Sequence, residues 1–552
     1  MRATQHLAAA AAVVAVVGIA GISLGQAPRP AVQPRDFSRA GQSIVDYSRG
    51  VSQPAMACAA LKTVDLGAAV KVLQADEVPP AAGSPGYCHL VGVIEGRIRF
   101  EVGLPASWNR RLLQIGNGGM AGEAVPGTGE RAAQRVSAVR NGFVFTANDM
   151  GHVAEPDGGL AWAEDKPDAV IDFGHRSAHL DNVWARKVAE RYYGETVARA
   201  YYSGCSTGGR IGYSEAQRYP DDFDGILAGA PVFNLVSLAL VNTASGAALA
   251  RAGLTAEAYT AAVSAPMLAK CDLLDGVKDG VISDPRACRF DVETEAKVCG
   301  APGVAAGQCI TPAQAAVLKG LTPDITLKGR RVYPGKILSA ENMVRLLPSA
   351  RAPNPGSRET SDQLLRSMAL YPKMGPYPQL TWLTVDLSRD FDRAQPARAV
   401  LESTDPDLSA FHTRGGKMIT YVGWEDTGVN PRALAEYHQS VAARIGPARA
   451  EQTTRLYLVP GMGHCQGGTG AADYFDMMTP LIEWVEAGVA PSSVIGLKRG
   501  PDGEAQFSRR LCPYPQAARY LGGDAGNVAS YVCAAPAAPP AVAQTRKARR
   551  AG

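Results

Sequence analysis

Short apolar runs alternate along this chain with stretches whose apolar residues recur at helical spacing. Ile94 to Leu104 alternates apolar and polar, which predicts an early antiparallel hairpin arm. Leu112-Leu113-Gln114-Ile115 and Phe143-Val144-Phe145-Thr146-Ala147 read as buried strands. Leu180, Val183, Trp184, Val188 and Tyr192 line one face of a predicted helix over 177–193, with Gly194 as its stop. A strand at Ala200-Tyr201-Tyr202-Ser203, a sharp Gly-rich turn, a helix through Gln217 and a strand at Ile226-Leu227-Ala228 follow. From Phe233 to about residue 400 the rhythm fails. That stretch holds four cysteines, Asp-Gly turns and many prolines, and reads as an inserted lid domain. The rhythm returns at Met418-Ile419-Thr420-Tyr421-Val422. Asn430 caps and Pro431 opens a helix whose face carries Leu434, Tyr437, Val441 and Ile445, ending at Gly446. Leu456-Tyr457-Leu458-Val459 reads as the last strand.

Strands alternating with helices predict an α/β fold, here an α/β-hydrolase fold with a large inserted lid. The catalytic domain would comprise 50–232 and 401–535, with the lid over 233–400. Residues 28–55 read as a polar lead, and 536–552, rich in Ala and Pro and then basic, as a disordered tail. Arg2 precedes an apolar run from Leu7 to Leu24, and small residues at Ser23, Gly25 and Ala27 offer a cleavage site. Residues 1–27 therefore read as a signal peptide, with an uncleaved anchor as the alternative. The expected location is secreted or periplasmic, with no membrane contact after cleavage. Hydrophobic residues at 46% and charged residues at 20% fit a packed globular protein and exclude wholesale disorder. The formal charge is only +4, so no basic face for nucleic acid emerges.

Ten cysteines in an exported chain suggest disulfides. Pairing Cys58 with Cys88, Cys271 with Cys288, Cys299 with Cys309 and Cys512 with Cys533 would close local loops and leave Cys205 with Cys465. Spacing does not fix the connectivity. Zinc is the alternative, and the chain has no CxxC pair.

Gly204-Cys205-Ser206-Thr207-Gly208 is a GxSxG pentapeptide between a predicted strand and a predicted helix, the setting of a nucleophile elbow. A serine hydroxyl needs a base to take its proton. His464 follows the last predicted strand, and Asp426 follows the strand before it, with Glu425 as its rival. The order Ser206, Asp426, His464 is that of α/β-hydrolases. His89, His152, His175, His179, His412 and His438 read as structural or surface groups. Cys205 directly precedes Ser206 and Cys465 directly follows His464. A disulfide holds its α-carbons about 4.4–6.8 Å apart, so a bond between these two would bring nucleophile and base together. Thr207 N–H and the loop Gly116-Asn117-Gly118-Gly119, chiefly Gly118 and Gly119, are candidates for the oxyanion hole.

Between Cys271 and Cys288, three carboxylates fall within eight residues, among glycines. Calcium tolerates such a mixture of carboxylate and carbonyl oxygens. Asp272, Asp275 and Asp279 are side-chain candidates, and Val277 and Val281 carbonyl candidates. Solvated Asp-Gly turns are the alternative reading.

At Gly204 to Gly209, Gly423 to Asp426, His464-Cys465, Gly116 to Gly119 and Cys271 to Cys288, the sequence resembles the tannase and feruloyl esterase family over roughly residues 50–535. The resemblance implies a Ser206–His464–Asp426 triad, the Cys205–Cys465 bridge, structural calcium in the lid, and small aromatic ester substrates such as gallates, ferulates or terephthalate half-esters. Val422 stands where many relatives have His. Arg366, Tyr371, Tyr377 and Trp382 could offer a cation or ring faces to substrate, with packing or surface roles as the favoured alternative. The rival classes are another hydrolase, such as a peptidase, and a non-catalytic binding protein on a hydrolase scaffold. Oligomeric state is not legible.

Overall fold

The computed structural model describes residues 36–535 apart from 49, 82, 156–158, 306, 339–346, 348–381 and 427. Nine strands form the central sheet. They are β1 (Val70–Val78), β2 (Tyr87–Ile94), β3 (Ile98–Pro105), β4 (Arg111–Ile115), β5 (Phe143–Asn148), β6 (Arg199–Cys205), β7 (Gly225–Gly229), β10 (Lys417–Gly423) and β11 (Thr454–Val459), while β8 (Ile325–Leu327) and β9 (Arg330–Tyr333) pair as a separate hairpin. The order is β1-β2-β3-β5-β4-β6-β7-β10-β11. Strands β1, β2, β3 and β5 pair antiparallel in turn, and all pairs from β5 to β11 are parallel.

The chemistry of the runs explains the split. Strands β4, β5 and β7 are buried at every position, as a sheet covered on both faces requires. The parallel strands need crossovers, which α1 (Gly129–Arg140), α2 (Pro167–Ile171), α3 (Ser177–Tyr193) and α4 (Thr207–Arg218) help to supply. One apolar cluster packs Trp184, Val188 and Tyr192 of α3 and Ile211 of α4 with Leu112 and Tyr202 of the sheet. A second packs Leu113, Phe143, Phe145 and Tyr201 against Met478, Leu481 and Ile482 of the helix Met478–Ala487. Burying each such side chain contributes about 1.5–3 kcal/mol.

The predicted helix over 177–193 forms with those bounds, and Gly194 ends it at φ 73°. The Asn430 side chain accepts from Arg432 N–H and caps Pro431–Ile445. Three differences stand out. The alternation from Ile94 to Leu104 spans a turn: β2 ends at Ile94 and β3 begins at Ile98. Leu456–Val459 is not the last strand, because Val494–Arg499 pairs with Ala505–Leu511, and Ala517–Tyr520 with Tyr531–Ala534. The lead is not wholly polar: Phe37 is buried, its ring 5.1 Å from that of Phe143 and 6.2 Å from that of Tyr47. Two residues after Phe233, α5 (Leu235–Arg251) begins. The stretch from Leu249 to Leu347 gathers its own apolar cluster, including Leu254, Tyr259, Val263, Met267, Ile282 and Leu318. The signal segment 1–27, the tail 536–552, and Arg366, Tyr371 and Tyr377 lie outside the described residues.

Candidate active site

Strand β6 runs straight into Ser206, which adopts φ 63° and ψ −117° before α4 begins. A serine there is strained, and the surrounding contacts must hold it. Ser206 N–H donates to Gly229 O at 2.9 Å, and Ser206 O accepts from Arg210 N–H at 3.0 Å and Val232 N–H at 3.2 Å. The glycines have a steric cause. A Cβ on Gly204 would lie 2.8 Å from the Gly208 carbonyl carbon, and one on Gly209 would lie 2.3 Å from Gly229 O.

His464 Nε2 lies 2.8 Å from Ser206 Oγ. Its Nδ1 lies 2.9 and 3.0 Å from the two Asp426 oxygens. With the ring proton on Nδ1, the imidazole donates to Asp426 and accepts the serine hydroxyl. Asp426 is 1% exposed. Its Oδ1 also accepts Gly428 N–H at 2.7 Å and Val429 N–H at 2.9 Å, which fixes the carboxylate's direction. Glu425, the rival, has its amide on Met462 O at 3.0 Å, while both contacts of His464 Nδ1 run to Asp426. Gly423 lets the acid strand meet the histidine loop, since a Cβ there would lie 1.8 Å from Met462 O.

All ten cysteines are paired: Cys58–Cys88, Cys205–Cys465, Cys271–Cys288, Cys299–Cys309 and Cys512–Cys533. The Cys205–Cys465 bond spans 260 residues of sequence and holds the α-carbons 6.1 Å apart.

The loop after β4 lies beside the nucleophile turn, and the Thr207 hydroxyl donates to Gly119 O. Gly118 and Gly119 are exposed, and Thr207 is buried. Gly118 N–H is already engaged, donating to Glu123 Oε1 at 3.0 Å. Glu123 also accepts from the Asn117 side chain. Sequence reading missed Glu123, and Arg131 beside it, because no motif marks either position.

The acidic loop folds on itself. Asp272 Oδ1 accepts Asp279 N–H at 3.1 Å and Gly280 N–H at 3.0 Å. Asp275 accepts Val277 N–H at 2.9 Å and the Ser283 hydroxyl at 2.5 Å. Asp279 accepts Val281 N–H at 3.1 Å and pairs with Arg509 at 2.7 Å. Burial, then the charge of Asp279, pushes the Asp275 carboxyl up despite these bonds. No cluster of three metal-ligating side chains occurs among the described residues. Val277 and Val281 are buried. Val281 packs under the histidine loop, its methyls 3.2 and 2.4 Å from where Cβ atoms on Gly461 and Gly470 would sit.

Six other histidines bond elsewhere: His89 with Glu101, His152 with Met120 O, His175 with Tyr219, His179 with Asp222, His412 with Thr453 and His438 with Thr454.

Comparison with known proteins defines the class as carboxylic ester hydrolases on an α/β-hydrolase scaffold. The family model "Tannase and feruloyl esterase" matches residues 84–534, and the chain belongs to that family. It is 32% identical to the mono(2-hydroxyethyl) terephthalate hydrolase of Piscinibacter sakaiensis, over 83% of this chain and 86% of the relative. It is 30% identical to a probable feruloyl esterase B-1 of Neosartorya fischeri, over 76% of this chain and 80% of the relative. The crystal structure of feruloyl esterase B from Aspergillus oryzae superposes with a TM-score of 0.73 at 25% identity, covering 86% of this chain and 99% of that one.

Proposed function

We propose that this chain is an exported serine esterase that cleaves esters of small aromatic carboxylic acids through an acyl-enzyme. The observation that carries this reading is the continuous hydrogen-bonded path from Ser206 Oγ through His464 to the buried Asp426. In it, His464 takes the hydroxyl proton as Ser206 attacks the ester carbonyl, then returns it to the departing alcohol. Asp426 holds the tautomer and stabilises the imidazolium. Water, activated by His464, then releases the acid. Backbone amides of Thr207 and the Gly118–Gly119 loop receive the oxyanion. One such donor is worth about 10²–10³ in kcat.

The names of the relatives support galloyl- or feruloyl-type substrates, and the Piscinibacter relative favours terephthalate half-esters as the second reading. Five disulfides suit an oxidising compartment, in keeping with cleavage of residues 1–27 and export. The stretch 233–400 acts as the lid over a catalytic domain made of 50–232 and 401–535. Hydrolysis of methyl gallate, methyl ferulate and mono(2-hydroxyethyl) terephthalate by wild type and Ser206→Ala tests the reading. Wild type should cleave at least one ester and Ser206→Ala none. Equal rates would remove Ser206 as nucleophile.

Calcium in the acidic loop belongs to the same proposal. Three carboxylates fall within eight residues, and burial and the charge of Asp279 push the Asp275 carboxyl up, a cost that a hard cation between them would relieve. Asp272, Asp275 and Asp279 would hold it, with the Val277 and Val281 carbonyls. When bound, the ion supplies charge neutralisation and loop rigidity, with no part in the acyl transfer. Elemental analysis should find about one calcium per chain, and chelation should lower the thermal midpoint. Absence of metal together with an unchanged midpoint would refute it.

A further inference from the structure

The loop between β4 and α1 carries the amides expected at the oxyanion, yet its motif does not say which of Gly118 and Gly119 donates. Its hydrogen bonds do. Arg131, on α1, donates from Nη1 to Ile115 O at 2.9 Å and from Nη2 to Gly116 O at 3.2 Å. Glu123 takes the Asn117 side chain and Gly118 N–H. Asn117 Nδ2 donates again to Asn148 O at 2.8 Å, fastening the loop to the end of β5. The Thr207 hydroxyl holds Gly119 O. Arg131 Nη2 and Glu123 Oε1 stand 3.9 Å apart, so the cation and the anion grip successive groups of the loop.

These bonds occupy the Ile115, Gly116 and Gly119 carbonyls and Gly118 N–H. Gly119 N–H has no acceptor among the described residues, and Gly119 is exposed at φ 52° beside Thr207. A carboxylate on the oxyanion loop opposes negative charge developing there unless its own charge is offset. Arg131, 3.9 Å away, and the two groups that donate to Glu123 offset it.

We propose that Glu123, braced by Arg131, is the positioning residue of the oxyanion loop: by taking Gly118 N–H and Asn117 Nδ2, it leaves Gly119 N–H as the loop's donor to the oxyanion, with Thr207 N–H as the second. This rests on the reading of Ser206 as the nucleophile. Glu123 touches neither substrate nor reacting atoms. Its effect passes through the loop, where a displacement of about 1 Å can cost up to 10²-fold in rate.

The test measures kcat and KM for p-nitrophenyl benzoate, and the inhibition constant of phenylboronic acid, which forms a tetrahedral adduct on an active serine. Glu123→Ala should lower kcat about 10–100-fold with KM within threefold, and weaken the boronate in parallel. Glu123→Gln keeps the length and one acceptor and should recover part of the loss. Arg131→Met should act in the same direction, and the double variant should lose less than the product of the single losses. Merely structural damage would instead reduce the amount of folded enzyme and leave the active fraction with wild-type boronate affinity. If Glu123→Ala does not fold, Glu123→Gln and Arg131→Met carry the same comparison. Wild-type kcat and boronate affinity in the Glu123 variants, with Ser206→Ala inactive, would overturn the brace alone. Full activity in Ser206→Ala would overturn the esterase mechanism beneath it.

Discussion

The Cys205 and Cys465 α-carbons stand 6.1 Å apart, and the bond between them joins the residue before Ser206 to the residue after His464. The sulfur link and the Ser206–His464 hydrogen bond thus close one small ring between the end of β6 and the loop after β11, at cysteines 260 residues apart in sequence. Loop-closure entropy allows such a link about 5 kcal/mol of stabilisation at most. Replacing both cysteines by alanine should lower the thermal midpoint and lower kcat more than it changes KM. Calorimetry and steady-state kinetics on the double variant read both effects. An unchanged kcat would show that the strands hold the pair unaided.

Asp426 and Glu425 are adjacent carboxylates, and the oxygens of Asp426 lie 2.9 and 3.0 Å from His464 Nδ1. Asp426→Asn should lower kcat by about 10⁴, because an amide cannot hold the tautomer. Glu425→Gln should stay within tenfold of wild type. Kinetics on the two variants side by side decide the assignment, and a reversed order would transfer the role to Glu425.

Backbone approach, rather than flexibility, dictates glycine in the elbow. Gly209→Ala would push a methyl within 2.3 Å of Gly229 O and 2.8 Å of Pro231 Cα. Overpacking of that kind costs about 1–3 kcal/mol. Gly246, in α5, has open space around it, so Gly246→Ala should be neutral or stabilising by about 0.5–1 kcal/mol. Thermal melts of the two variants should move in opposite directions, and a wild-type midpoint for Gly209→Ala would contradict the packing argument.

Asp181 is fully buried, and burial pushes its carboxyl up to about 7, although Thr146 and Asn148 donate to it. Between about pH 4 and 7 the folded protein keeps a proton that the unfolded chain releases. Its contribution to stability is therefore full at the acid end and lost as pH rises through that window. Asp149, also pushed up to about 7 by burial, acts in the same direction. Asp181→Asn should flatten, without abolishing, the fall in thermal midpoint from pH 4.5 to 7.5. Identical slopes in variant and wild type would exclude Asp181 as a source.

Local pattern carried much of the architecture. Helix 177–193 was legible because its apolar face and its Gly194 stop lie within one segment, and β4, β5 and β7 because both their faces are covered. The strand β1 was not: its exposures vary along an edge, with Leu73 43% exposed, so no clean period marks it. Phe37 sits in a stretch that reads as polar, and only its packing on Phe143 reveals it as core.

By itself, the sequence determined the GxSxG turn, the order of nucleophile, acid and base, and the cysteines beside Ser206 and His464, since each is a matter of neighbours along the chain. Tertiary structure alone decided which adjacent carboxylate meets the imidazole, that Glu123 takes the Gly118 amide, and how Arg131 braces both. Those choices depend on directions in space between separate elements, and a hydrogen bond turns on a few tenths of an ångström that no spacing along a chain encodes.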